Sequence, residues 1–223
     1  MPLQKSKKFL IYFFVFLLVG TLNNKNINFE LPRINQIEVS GLSDKENFEI
    51  LESLEVFKVY NLFFLNKIQL NKLVNTHNHI EEFFIFKKYP SSLNIKISKA
   101  KPLAYINKDN QNFYIGSNGK LIKTKNQTKE LPYIYGDLNL KEFFNLKNLI
   151  DQSNFKFSEI KNLFFLPSGR WDLELNSGIL IKLPKLKLKE SLNLYSELLK
   201  QKKFINNSLI DLRQNNQVII NEK

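Results

Sequence analysis

Tyr89-Pro90-Ser91-Ser92-Leu93-Asn94-Ile95-Lys96-Ile97 is the stretch whose reading decides the fold. Pro90 and the two serines make a turn. Leu93, Ile95 and Ile97 then alternate with Asn94, Lys96 and Ser98, the period-two pattern of a half-buried strand. Just upstream, Phe83 to Phe86 reads as a second strand ending at that turn. Farther back, Ile37 and Val39 alternate with Gln36 and Glu38 in a strand over Ile34–Val39, which Gly41 ends. Two helices lie between. Ser43 with Glu46 forms a capping box before Ile50, Leu51 and Leu54, and Asn66 with Gln69 opens a stripe of Leu70, Leu73 and Val74. Strand, helix, helix, strand, strand over about 65 residues predicts a small α+β layer with its helices on one sheet face.

Downstream of Pro102 the pattern changes to hairpins, predicting a mainly antiparallel β-domain with flanking helices. Leu103–Ile106 and Phe113–Ile115 are strands, and Asn118-Gly119 is a tight turn before Leu121 and Ile122. Leu131 to Gly136 reads as a loop closing this meander, and Phe143 to Ile150 as a helix. Trp171, Leu173 and Leu175 alternate with Asp172 and Glu174, and Ile179, Ile181 and Leu183 answer them across a turn. Leu188, Leu192, Tyr195 and Leu199 then make an apolar stripe on a helix from about Leu186 to Lys203. The chain closes with Leu209–Arg213, a turn at Asn215–Asn216, and Val218–Ile220.

The amino terminus is of another kind. Lys5, Lys7 and Lys8 precede an apolar run from Phe9 to Leu22, and no charge falls between Phe9 and Asn24. Such a run spans about 24 Å as a helix, against about 30 Å of bilayer hydrocarbon, and Lys8 and Lys25 could snorkel to the interfaces. It predicts a short transmembrane anchor over 9–24, a cytoplasmic tail over 1–8 and a linker over 25–33. A cleaved signal peptide is the rival, but bulky Val19 and Leu22 flank Gly20 and Thr21, leaving no small-residue cleavage site. A buried core helix fits three leading lysines poorly. Basic residues at the front keep that end in the cytoplasm and place the body outside.

Composition removes several chemistries. There is no cysteine, hence no disulfide, thiol nucleophile or thiolate metal site. A net charge of +12 invites a nucleic-acid reading, yet Arg33, Arg170 and Arg213 are the only arginines among 33 basic residues. Geometric recognition of bases and phosphates favours arginine forks, so nucleic acid is not an expected partner. His77-Asn78-His79 could be a metal pair with Glu81 or Glu82, but reads more simply as a polar helix-to-strand loop. Asp172 with Glu174, like Glu81–Glu82, reads as a solvated strand face. Ser91, Ser92 and Ser168 lack a base, and Gly116, Gly119 and Gly136 lack phosphate-loop spacing. No catalytic, cofactor or metal site is expected, and function by binding is.

Several strings, in order along the whole chain, resemble the bacterial cell-division family FtsQ, called DivIB in Gram-positive bacteria. They are Ile37-Glu38-Val39-Ser40-Gly41, the Tyr89–Ile97 stretch above, Lys101-Pro102-Leu103-Ala104-Tyr105, Asn118-Gly119, Leu131-Pro132-Tyr133-Ile134-Tyr135-Gly136, Arg170-Trp171-Asp172-Leu173 and Ile210-Asp211-Leu212-Arg213. Lys99, where an acidic residue is common, and Gln214, where a tyrosine is, depart from the pattern. The resemblance implies a POTRA domain over 34–101 and an FtsQ-type β-domain over 102–223. It also implies a single-pass type II protein of the inner membrane with a periplasmic body at the division septum, acting as a non-enzymatic divisome scaffold that links early and late division proteins. The implied partners are FtsB and FtsL at the carboxy-terminal β-domain edge, and other divisome membrane proteins at the POTRA domain. A terminal hairpin tends to form a sheet edge, whose unpaired main-chain groups can accept an added strand. The resemblance implies that the positions matching Arg170 and Asp211-Leu212-Arg213 lie near the partner contact, and with the terminal hairpin the candidate binding residues are Arg170, Asp211, Leu212, Arg213, Gln214, Val218, Ile219 and Ile220. The runner-up reading is an exported POTRA-containing module assisting outer-membrane protein assembly or secretion.

Overall fold

The computed structural model describes residues 3–21, 30–125, 131–137, 139–200, 207–214 and 217–222. Helix α1 (Leu3–Thr21) carries the amino-terminal apolar run. The first lobe follows as β1 (Gln36–Ser40), α2 (Asp44–Leu54), a 3-10 turn over Glu55–Val59, α3 (Lys67–Val74), β2 (Ile80–Lys88) and β3 (Ser92–Lys99). The capping box at α2 closes through Glu46: the Ser43 backbone N–H and hydroxyl both donate to Glu46 Oε2, at 3.2 and 2.6 Å. At α3 the Asn66 side-chain oxygen Oδ1 accepts from the Ile68 N–H at 2.9 Å. These caps satisfy donors that a helix start leaves open. The three strands run in the order β1-β3-β2, with β1 parallel and β2 antiparallel to β3. Ile37, Leu93, Ile95 and Ile97 from the sheet meet Ile50, Leu54, Leu70 and Val74 from the helices in one core. The strand–helix–helix–strand–strand order read from the sequence is the order observed.

The second lobe is a nine-stranded sheet built from β4 (Pro102–Lys108), β5 (Gln111–Gly116), β6 (Leu121–Lys123), β7 (Tyr133–Tyr135), α4 (Leu140–Asp151), β8 (Ile160–Leu166), β9 (Arg170–Leu175), β10 (Leu180–Lys182), α5 (Leu188–Lys200), β11 (Asn207–Asp211) and β12 (Ile219–Glu222). Its spatial order is β12-β11-β10-β9-β8-β7-β4-β5-β6. Three of these joints are parallel: β4 with β7, β7 with β8, and β10 with β11. The sheet is therefore mixed: α4 carries the chain from β7 to a parallel β8 and α5 from β10 to a parallel β11, while β7 joins β4 after the β4–β5–β6 meander. One register row, Ile106–Ile134–Leu163–Leu173–Ile181–Ile210, faces those helices and packs on Phe143, Leu146, Ile150, Leu192 and Tyr195.

Two expectations need correction. Leu131–Gly136 is not a loop: Tyr133–Tyr135 is an internal strand between β4 and β8. Its three residues are too few for a local period, and its partners are distant in sequence. Asp172 is not solvated: it is only 9% exposed, in the middle of the sheet. The Asn215–Asn216 turn, residues 201–203 of the last helix and most of the 25–33 linker lie outside the described residues, as does the Leu199 side chain.

The lobes meet through a polar clasp. Asn118, in the β5–β6 turn, donates through Nδ2 to the carbonyls of Asn78 and Ile80, at 2.8 and 2.7 Å. Asn78 donates back to Leu121 O, and Ser117 Oγ donates to Glu81 Oε2. His77 and His79 sit in the α3–β2 turn beside this clasp, as a polar loop. No cluster of three metal-ligating side chains exists among the described residues.

Candidate partner-binding edge

β12 is the last strand of the large sheet and pairs on one side with β11, through Asp211↔Ile219, Ile210↔Ile220 and Leu209↔Asn221. A continuous register row leads to it along the face away from the helices: Tyr135, Phe164, Asp172, Lys182, Asp211, Ile219. Tyr135 stacks on Phe164 at 5.0 Å between centroids. Next come alternating charges. Arg213 clamps Asp211 with Nε at 2.8 and 2.9 Å from the two carboxylate oxygens and with Nη2 on Oδ2. That grip holds the Asp211 carboxyl below its usual range against the opposing effect of burial.

Asp172 behaves oppositely. Burial pushes its carboxyl up, more than Arg170 and Lys182 pull it down. Arg170 Nε stands 3.8 Å from Asp172 Oδ1, and neither atom has a hydrogen-bond partner among the described residues. The pair is buried and incompletely satisfied.

The sequence-predicted residues divide by position. Asp211 belongs to the charged row, Arg170 lies beside it two residues along β9 from Asp172, and Leu212 is buried in the core. Arg213 and Gln214 are exposed beyond β11. Val218 packs partly on the core just before β12, Ile219 is half exposed at the row's end, and Ile220 is half buried. Gln214 and Gln217 also line a shallow cavity of about 160 Å³ with Leu186, Glu190, Leu194 and Leu212. Lys182 and Asp172 were not singled out from the sequence as members of this cluster. Their signal would have been the register that places Asp172, Lys182 and Asp211 side by side, which no local pattern carries.

Comparison with known proteins gives the class. The family description "cell division protein FtsQ/DivIB, C-terminal" matches residues 104–213. The FtsQ cell-division protein of Rickettsia bellii is 25% identical over 191 residues, covering 84% of this chain and 72% of that protein. DivIB of Clostridium tetani is 26% identical over 151 residues, covering 67% of this chain and 57% of that protein. Among solved structures, the extracytoplasmic domain of DivIB from Geobacillus stearothermophilus is similar at a TM-score of 0.36 and 16% identity, over 45% of this chain and 92% of that one. These are bacterial cell-division proteins, and they lend the secretion reading no support. Residues 104–213 belong to the FtsQ/DivIB family, and the chain as a whole is similar to FtsQ and DivIB cell-division proteins.

Proposed function

We propose that the protein is a non-enzymatic divisome scaffold whose β12 edge captures the periplasmic parts of FtsB and FtsL by strand addition. The observation that carries this reading is the position of β12, terminal in the nine-stranded sheet with Ile219 half exposed. A short edge strand offers unpaired N–H and C=O groups to an extended segment, with neighbouring side chains setting specificity. Residues 34–101 form the POTRA domain on this reading, 102–223 the β-domain, and the POTRA domain contacts further divisome membrane proteins. The protein is a single-pass type II inner-membrane protein, its amino terminus cytoplasmic and its body periplasmic at the septum. Among the described residues no helix is long and apolar enough to cross a membrane, since Lys5, Lys7 and Lys8 occupy the start of α1. All eleven side chains from Phe9 to Val19 are nonetheless exposed, at 46–75%, which an apolar helix sustains in lipid and not in water.

The test is capture of FtsB. Val218→Pro removes a donor at the head of β12, and Ile219→Glu sets a third carboxylate beside Asp211 at a position that tolerates change. Both should keep the parental circular dichroism spectrum and lose capture. Parental capture by both variants would overturn strand addition at this edge.

A further inference from the structure

The first lobe carries an apolar surface that its fold does not use. Val59, Tyr60, Phe63, Phe64, Ile68 and Tyr89 are all exposed, Phe64 at 77% and Ile68 at 75%. They form one neighbourhood: Phe63 and Tyr89 pack at 4.7 Å between ring centroids, and Lys87 Nζ donates to Leu62 O at 2.8 Å, tying the end of β2 to the same loop. Soluble surfaces scatter apolar side chains singly, and a contiguous cluster of this kind marks an interaction site.

What covers it follows from where the chain enters the lobe. Arg33 bridges Asn61, Ile34 N–H donates to Tyr60 O at 3.0 Å, and Asn61 Nδ2 donates to Pro32 O at 3.2 Å. The incoming segment is thus pinned to the very loop that bears the apolar side chains. From Asn24, the end of the uncharged amino-terminal run, to Pro32 is eight residues. Even fully extended, that tether reaches at most about 30 Å. An α1 held in a bilayer therefore keeps the point where the chain enters this loop within about 30 Å of the bilayer surface.

The chemistry suits that location. Tyr60 and Tyr89 are amphipathic rings of the kind that settle at headgroup level, with Phe63 and Phe64 beside them to enter the acyl boundary. Arg33, Lys67 and Lys88 surround them, exposed and with no carboxylate partner among the described residues. Lys58 is neutralised by Glu55 at 2.7 Å. Aromatic side chains rimmed by free cations match the interface of an anionic phospholipid bilayer.

We propose that the loop Val59–Ile68, with Tyr89, docks on the anionic phospholipid surface and fixes how the body stands on the membrane. The proposal rests on the anchor reading above, and the test separates the two. The chain has no native cysteine. Full-length protein carrying single cysteines by Phe13→Cys, Phe64→Cys or Ser177→Cys is labelled with an environment-sensitive fluorophore. It is then reconstituted into phosphatidylcholine vesicles with and without phosphatidylglycerol. Position 64 should shift to the blue, lose access to aqueous iodide and be quenched by spin-labelled lipid, whereas position 177 stays aqueous. Lys67→Glu with Lys88→Glu should reverse the effect at 64 selectively in the anionic vesicles. Position 64 behaving like 177 while 13 is lipid-quenched would overturn the docking and leave the anchor standing. Position 13 unquenched would overturn both. Protection of 64 that rises with protein concentration without lipid quenching would assign the surface to a second copy and overturn the lipid reading.

Discussion

A methyl group at Gly136 should open the centre of the large sheet. Gly136 follows β7 with φ +108°, and a Cβ built there falls 2.1 Å from the Phe165 carbonyl oxygen and 3.1 Å from its carbonyl carbon. Real Cβ atoms do not approach within 3.0 Å, so β7 and β8 would have to part by about 1 Å. Positive φ in a residue with a side chain costs about 1–3 kcal/mol. Weakening one or two ladder bonds beside Tyr135 and Phe164 adds about 1 kcal/mol each. A loss of about 2–5 kcal/mol is a large share of a total stability of about 5–15 kcal/mol. For a chain of this size it lowers Tm by about 4–20 °C. The assay is thermal melting followed by fluorescence of Trp171, the single tryptophan, which is 3% exposed and packs on Phe165 at 4.8 Å between centroids. Gly178→Ala is the control. Its φ is +84°, but nothing lies within 4 Å of the added Cβ, so its cost is the backbone strain alone. Equal drops in Tm for the two variants would refute the contact with Phe165 as the cause.

Leu192→Ala should cost about 2–5 kcal/mol, because Leu192 is fully buried where α5 meets the sheet; a parental melting temperature would show that the helix packs elsewhere. Glu46 should make the first lobe acid-sensitive. Burial would raise its carboxyl, but bonds from Lys99 and Ser43 outweigh that and bring it down to about 2 from 4.5. A folded pKa below the unfolded one stabilises above about pH 4.5, and that contribution fades as pH falls toward 2. Discounted for solvent around a side chain 23% exposed, it amounts to about 1–2 kcal/mol. Lys99→Met should flatten the fall of Tm with acid, and an unchanged slope would contradict the assignment.

Local patterns made the first lobe legible because its elements are long enough to show their periods. The α2 capping box, the Asn66 cap and the Leu93–Ile95–Ile97 alternation all stand where the residues put them. Lys99, a departure from the family pattern, pairs at 2.6 Å with Glu46 in the first turn of α2. The large sheet was less legible for a physical reason. Parallel joints link strands far apart in sequence, so Tyr133-Ile134-Tyr135, three residues between a proline and a glycine, carries no local sign of its two neighbours. Asp172 was misread for the same reason. Alternation told which face it shares with Glu174, but not that Lys182 and Arg170 would close over it. The sheet order puts β12 at an edge, whereas the placing of Asp211 beside Lys182 needed the register of β10 against β11.

That clamp bears on how an edge of four residues could hold a partner. Among the described residues the two sheets have four edges, on β1, β2, β6 and β12. Charge and brevity blunt edges against stray pairing. β2 is flanked by Glu81–Glu82 and Lys87–Lys88, β6 is three residues long, and β1 carries Glu38 at its centre. β12 instead opens with Ile219 and Ile220, its one charge coming at the last residue. Net main-chain hydrogen bonds contribute about 1 kcal/mol each, so pairing along four residues supplies about 2–4 kcal/mol. Association itself costs about 4–15 kcal/mol. Strand pairing alone therefore sets the register of a bound segment without retaining it. On the strand-addition proposal, affinity would have to come from side chains: apolar contact with Ile219, and an anchor in the cavity beside Gln214, Gln217, Leu186 and Leu194. Arg213 contributes less directly than a free arginine would, since Asp211 already occupies its fork. It holds Asp211 in place beside Ile219, and so shapes the floor on which an added strand would lie.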